Sequence, residues 1–211
     1  MPKREHGLGP DEHGKIVRDG YNKIAEEYYL KRNLFKNERE IQEFLAHLPE
    51  GGTVLDIGCG GGIPVLRNLV DNGYNAKGID FSQGMLTLAK QNVPEAELIL
   101  GDITKTNFES ESLDGIISTY AFIHIFRTQH PLLYTKIFRW LKPGAIMLVS
   151  TASTEWEEVN EYFGEPMAWS HPASRESLQL VNNTGFEVLF DRLVTTGDET
   201  HYWILAKKPE S

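Results

Sequence analysis

The chain reads as an α/β protein built on a doubly wound, largely parallel sheet. Three observations carry that expectation. Short apolar runs alternate with segments of helical periodicity over most of the 211 residues, the pattern of strands joined by crossover helices. The run at residues 53–57 passes directly into Gly58-Cys59-Gly60-Gly61-Gly62, with Asp56 one residue before its end. Two later runs are also followed by an aspartate, Asp80 and Asp102. In an open parallel sheet the strand C-termini line one ligand crevice, so three acids at three successive strand ends converge there.

Two helices precede the first strand. Residues 15–30 place Ile16, Tyr21, Ile24, Ala25 and Tyr28 on one face, with Gly20 weakening the helix. Residues 35–48 turn Ile41, Phe44, Leu45 and Leu48 inward and end at Pro49-Glu50-Gly51-Gly52. After strand one (53–57), a helix runs over 63–71, with Pro64 where a missing N–H costs little, and stops at Asn72-Gly73. Strand two is 76–79. Ser82 caps a helix reaching Gln91, before Pro94. Strands three and four are 97–100 and 113–118. A helix over 131–141 ends at Lys142-Pro143-Gly144, and strand five is 145–150. Ser174 caps a last helix that ends at Asn183-Thr184-Gly185. Residues 186–194 and 201–207 then form a hairpin across Thr196-Gly197-Asp198. The expected division is a disordered N-terminus (1–14), a helical cover (15–50) and a ligand-binding domain (51–211) with an insertion at 152–173.

Composition narrows the function. The net charge is −9 and no stripe of lysine and arginine occurs. Nucleic-acid affinity rests largely on cations set against phosphates, so DNA and RNA are disfavoured as partners. No apolar run approaches the roughly 20 residues that span a bilayer, and residues 1–15 lack the apolar core of a signal peptide. The single Cys59 cannot form an internal disulfide, which suits a reducing cytoplasm. Neither His-x-x-x-His nor Cys-x-x-Cys occurs, so no metal is expected. The protein is expected to be a monomer or a homodimer.

The glycine turn narrows it further. A dinucleotide fingerprint needs Gly-x-Gly-x-x-Gly, and its last position is Ile63 here. No Gly-Lys-Ser/Thr follows, which excludes a Walker loop. Asp80 lies about 20 residues past the turn, where an acid commonly accepts hydrogen bonds from ribose hydroxyls.

Taken together, Leu55-Asp56-Ile57-Gly58-Cys59-Gly60-Gly61-Gly62, Gly78-Ile79-Asp80-Phe81-Ser82, Gly101-Asp102-Ile103 and Leu141-Lys142-Pro143-Gly144 resemble the class I S-adenosylmethionine (SAM)-dependent methyltransferases. The resemblance is strong over residues 50–150. The last motif usually ends in two glycines, and Ala145 replaces the second. The resemblance implies a Rossmann-like, doubly wound seven-stranded sheet, mostly parallel with the last strand antiparallel. Helices would lie on both faces beneath an N-terminal helical cover. It implies that the glycine turn passes under the methionine moiety, that Asp80 binds the ribose hydroxyls and that Asp102 faces the adenine amino group. The implied cofactor set is Tyr21, Tyr28, Asp56, Gly58, Cys59, Gly60, Asp80, Phe81, Met85, Asp102, Ile103 and Thr119.

Methyl transfer needs donor and acceptor aligned in a water-poor site, and a base when the acceptor carries a proton. Residues 119–124 leave strand four beside the crevice, which offers Tyr120 as an acceptor contact. His124 is either a general base or a histidine with one structural hydrogen bond. The insertion carries Trp156, Tyr162, Phe163, Met167, Trp169 and His171. It reads as a pocket wall or as a small satellite core around an amphipathic helix. Trp169 and His171 are the acceptor contacts expected from it, and His171 is the second candidate for catalysis. Its glutamates (Glu155, Glu157, Glu158, Glu161 and Glu165) read as a solvated face. The function expected is methyl transfer from SAM to a small-molecule acceptor. The rivals are an NAD-dependent oxidoreductase and a non-catalytic SAM-binding regulator.

Overall fold

The computed structural model describes residues 7–32 and 37–210. At its centre is a seven-stranded sheet in the order β3-β2-β1-β4-β5-β9-β8. The strands are β1 (Thr53–Ile57), β2 (Asn75–Asp80), β3 (Glu97–Leu100), β4 (Leu113–Ser118), β5 (Leu141–Ala152), β8 (Glu187–Thr196) and β9 (Glu199–Lys207). Strands β1 to β5 pair in parallel, and β9 runs antiparallel to both β5 and β8. The order reverses between β1 and β4, since the chain leaves β1 toward one edge and later returns to build the other. A crevice must open there, outside the carboxyl ends of the strands.

The alternation of side chains along each strand supplies two cores. On one face Leu55, Ile57, Ile116 and Met147 pack under Trp140 of α5 (His130–Trp140) and Val181 of α6 (Ser174–Thr184). On the other, Val54, Ile117 and Leu148 pack with Phe44 of α2 (Glu38–Leu45), Leu66 of α3 (Val65–Asp71) and Leu86 of α4 (Gln83–Asn92). Arg192 of β8 ties the sheet edge to α2 through Glu40 and Glu43, at 3.1 and 2.6 Å.

Several expectations change. Helix α1 (Pro10–Arg32) begins inside the stretch expected to be disordered; residues 1–6 of that stretch lie outside the described residues. Gly20 does not interrupt α1. A Cβ there would sit 2.9 Å from Met167 Cε and 3.0 Å from the Pro166 carbonyl, so the glycine lets α1 lie directly on that stretch of the insertion, and tertiary packing outweighs propensity. The start of the second helix, residues 35 and 36, also falls outside the described residues. Ser174 is not the cap of α6: Ala173 occupies that position without a side-chain cap, and Gly185 ends the helix at φ 102°. Strand β5 extends beyond 145–150 at both ends.

The insertion contains no helix. It is a two-stranded hairpin, β6 (Trp156–Tyr162) with β7 (Glu165–His171). Phe163 and Gly164 join the strands at φ 53° and 78°, the pair of positive φ values that a tight right-twisting hairpin needs. Met167 and Ala168 of β7 bury against Val17 and Ile24 of α1, which makes a third small core above the crevice.

Candidate functional site

The glycine turn leaves β1 at the switch point and is clamped from β2. Gly58 and Cys59 donate their N–H groups to the Ile79 carbonyl at 2.8 and 3.2 Å. Gly60 N–H donates to Asp80 Oδ2 at 3.0 Å, and Ser82 N–H to Asp80 Oδ1 at 2.8 Å. Gly58 has φ 70°, and a Cβ there would lie 2.4 Å from Ala121 Cβ. Only glycine lets the turn approach the loop after β4 this closely.

A cleft of about 830 Å³, open to solvent, follows the turn. Nine of the twelve expected cofactor residues line it: Tyr21, Tyr28, Gly58, Asp80, Phe81, Met85, Asp102, Ile103 and Thr119. Asp56, Cys59 and Gly60 do not. Asp56 is 1% exposed behind the turn, and Cys59 Sγ packs inward against Gly78. Burial, with the nearby Asp80 charge, holds the Asp56 carboxyl well above the ordinary carboxylate range. Its Oδ1 is buried with no hydrogen-bond partner. Asp102 turns one oxygen to its own loop, where Oδ1 accepts from Thr104 N–H at 2.9 Å and from Thr104 Oγ1 at 2.7 Å. The cleft also takes His13 and Val17 from α1, and Phe126 and Gln129 from beyond β4. None of these four was expected in the site, and His13 falls in the stretch expected to be disordered.

A second cavity, also open to solvent, lies under the hairpin and shares Tyr21, Tyr28, Tyr120 and His124 with the first. Trp156, Tyr162, Trp169 and His171 of the hairpin form one wall. Glu199, Thr200 and His201 form another; His201 is legible in the sequence only as a strand residue. Trp169 is enclosed by rings. The Trp156 ring stacks parallel to it at 5.7 Å, and His124 lies 4.3 Å away.

His124 is a junction. Its Nδ1 lies 3.0 Å from the Ala168 carbonyl, which can only accept, so Nδ1 carries the proton. Nε2 therefore accepts from the Tyr21 hydroxyl at 2.9 Å. The His124 carbonyl meets His13 Nε2 at 2.9 Å. One residue thus joins the cover helix, the sheet loop and the hairpin, and both ring nitrogens are engaged. His171 is 4% exposed; burial, followed by the neighbouring charges of His201 and Arg127, pushes its pKa down to about 4 against the pull of backbone carbonyls. It is uncharged at neutral pH and a weak base. The expected solvated face of glutamates is partly paired: Glu155 and Glu157 hold Arg127, and Glu165 meets Lys23 at 2.8 Å. Among the described residues no cluster of metal-ligating side chains occurs, and no helix is long and apolar enough to cross a membrane.

Residues 55–149 match the methyltransferase domain family. Demethylmenaquinone methyltransferase of Symbiobacterium thermophilum is 30% identical over 68% of this chain and 62% of its own length. A phosphoethanolamine N-methyltransferase of Triticum aestivum is 30% identical over 62% of this chain and 26% of its own. The chain spans between 26% and 68% of the length of the curated relatives it matches. The fold of Burkholderia thailandensis 1,6-didemethyltoxoflavin-N1-methyltransferase, solved with its acceptor and S-adenosylhomocysteine, superposes with a TM-score of 0.78 at 14% identity, over 96% of this chain and 91% of that one. Residues 55–149 therefore carry a methyltransferase domain, on a fold shared with SAM-dependent methyltransferases. The dinucleotide alternative is set aside with that assignment.

The residues present fit SAM. Gly58 lines the cleft in a turn whose φ of 70° and close approach to Ala121 only glycine allows, and Asp80 provides a carboxylate on the cleft wall. Burial raises Asp80 to about 6, against the pull of the Ser82, Gly60 and Phe81 N–H groups. Ribose hydroxyls would donate to the ionised form. Affinity for S-adenosylhomocysteine is therefore expected to fall as pH drops through about 6, by about tenfold per unit below it. Titration calorimetry in two buffers of different ionisation enthalpy would show proton release near that pH. The sign for stability is opposite. A carboxyl raised from 3.8 binds more protons in the folded state, so the ligand-free fold loses stability as pH rises through that window.

Proposed function

We propose that the protein transfers a methyl group from SAM to a small-molecule acceptor, with the donor in the cleft after β1 and the acceptor in the cavity beneath the hairpin. The observation that carries this reading is the pair of cavities sharing Tyr21, Tyr28, Tyr120 and His124. SAM supplies an electrophilic methyl on a sulfonium, and two adjoining cavities would bring an acceptor against it. In this reading Gly58 admits the methionine end, Asp80 holds the ribose and Met85 and Ile103 pack the adenine. The cover (15–50) and the hairpin act as walls that Tyr21, His124 and Ala168 fasten together. A net charge of −9 and the absence of a basic stripe in the sequence support a small acceptor over a nucleic acid. A lone cysteine, 7% exposed, is compatible with a reducing cytoplasm as the place of action.

The test is calorimetric titration with S-adenosylhomocysteine and, separately, NADH. Binding of the first in the micromolar range without the second supports the reading. No heat with S-adenosylhomocysteine at high micromolar ligand overturns it. Incubation with SAM and an acceptor panel, followed by mass spectrometry for a mass gain of one methylene, then separates a transferase from a regulator that only binds.

A further inference from the structure

Strand β9 is antiparallel to its neighbours. Its first residues therefore arrive at the end of the sheet where the parallel strands finish, which is the ligand edge. That places Glu199 in the wall of the second cavity, which the hairpin completes. Glu199 is the only carboxylate in that wall, and among the described residues no lysine or arginine lines it. The neighbouring chain adds to the imbalance. The insertion over 152–173 carries five glutamates and neither lysine nor arginine, and Asp198 precedes Glu199. From outside the insertion, Arg127 meets Glu155 and Glu157, and Lys23 meets Glu165. Lys31 lies over the Phe163 ring at the hairpin turn and is bonded to Glu27. The acids around the cavity outnumber the cations that meet them, and such a field draws cations in and repels anions.

The aromatic residues of the wall point the same way. Trp156 Nε1–H donates to Glu158 Oε2 at 2.9 Å, and Trp169 Nε1–H donates to Asn160 Oδ1 at 2.8 Å. Both indole donors are thus engaged within the hairpin and do not serve an anionic group. Trp156 stays 42% exposed although its ring stacks on Trp169. Tyr162 stands 5.4 Å from Trp169 and 6.2 Å from Tyr28, so the rings form one continuous aromatic lining. A phosphate or carboxylate on the acceptor would find no lysine or arginine to pair with. An ammonium group would find electron-rich ring faces together with a carboxylate, the combination that aromatic cages present to cations.

We infer that the second cavity takes an acceptor bearing a positively charged nitrogen, an organic ammonium without phosphate or carboxylate groups, recognised by Trp156, Tyr162 and Glu199. The inference rests on the methyltransferase reading above. It gives these three residues a part in choosing the acceptor and none in removing a proton. His124, whose ring nitrogens are both engaged, is left with the positioning of Tyr21 and the hairpin.

Choline, phosphocholine and the uncharged isostere of choline, the dimethylbutanol in which a quaternary carbon replaces the nitrogen, serve as probes. Each is titrated calorimetrically, at one ionic strength, into protein saturated with S-adenosylhomocysteine, which keeps the probes out of the donor cleft. Choline should bind more tightly than the alcohol by on the order of tenfold, and more tightly than phosphocholine. Trp156→Leu and Glu199→Gln should each weaken choline by at least about threefold and leave the alcohol within about twofold. Glu199→Gln keeps the side-chain volume and decides the matter should the first variant not fold. Equal affinity for choline and the alcohol, phosphocholine binding at least as tightly as choline, no binding of choline at millimolar concentration, or choline affinity unchanged in both variants would overturn the inference. The S-adenosylhomocysteine titration that precedes each run reports on the donor site separately, so failure of the cation preference and failure of the methyltransferase reading are distinguishable.

Discussion

Asp80→Ala is expected to weaken S-adenosylhomocysteine binding by on the order of 100-fold or more, read by calorimetric titration at neutral pH. Two losses combine. Hydrogen bonds from ribose hydroxyls to an ionised carboxylate are worth about 1.5–3 kcal/mol each, and two of them account for the expected factor. The same carboxylate also accepts from Gly60 and Ser82, so its removal frees the glycine turn that must lie under the methionine end. Asp80→Asn separates the two. Its amide oxygen can still accept one backbone N–H, but it carries no charge, so it should keep more of the turn and lose the pH dependence near 6. The α4 cap, where Ser82 Oγ accepts from Met85 N–H at 3.2 Å, does not use the Asp80 side chain as its acceptor, so the thermal transition should stay cooperative in both variants. Unchanged affinity in Asp80→Ala would remove Asp80 from the donor site.

What the sequence disclosed follows from where single residues decide the backbone. The turn at Gly58 was legible because a positive φ and a 2.4 Å approach to Ala121 permit no other residue, and such requirements appear as glycine whatever surrounds them. Asp80 and Asp102 were legible because strands in a parallel sheet end together. The same logic failed for Asp56 and Cys59. Along β1, Asp56 alternates with Leu55 and Ile57 and so points to one fixed face, and that face is behind the turn and not in the cleft. Proximity in sequence to a ligand loop does not give direction.

The acceptor side was less legible for a different reason. In the insertion the aromatic residues recur at spacings that suit a strand and a helix about equally, and the deciding signal, Phe163-Gly164 between runs of seven residues each, is short. Glu199 follows a turn and reads as a loop residue, and His201 reads only as the first residue of a strand. Only the antiparallel direction of β9 carries them to the ligand edge, and that direction is a property of the whole sheet. The start of α1 at Pro10 was likewise hidden, because its stability comes from packing on β7 and α4 and not from a strong helical sequence.

The largest loss of stability that also touches the site is expected from Phe122→Ala, at about 3–5 kcal/mol, the usual range for emptying a buried phenylalanine site. Phe122 is fully buried in the short turn Phe122–His124 that follows β4, its ring 5.2 Å from Tyr134 and 5.4 Å from His130 of α5. The residues on either side of it serve the site: Ala121 abuts Gly58, Tyr120 lines both cavities, and His124 fastens the cover to the hairpin. Phe122 is therefore the anchor by which the sheet core fixes those three. Urea unfolding should show a lower midpoint at an unchanged slope, and S-adenosylhomocysteine affinity should fall under conditions where the variant is still folded. Phe122→Leu nearly conserves volume, should cost less than about 1.5 kcal/mol, and should bind close to normally. A Phe122→Ala protein that is destabilised but binds with native affinity would show that the hydrogen bonds of His124, and not the aromatic anchor beneath it, hold the turn against the glycines.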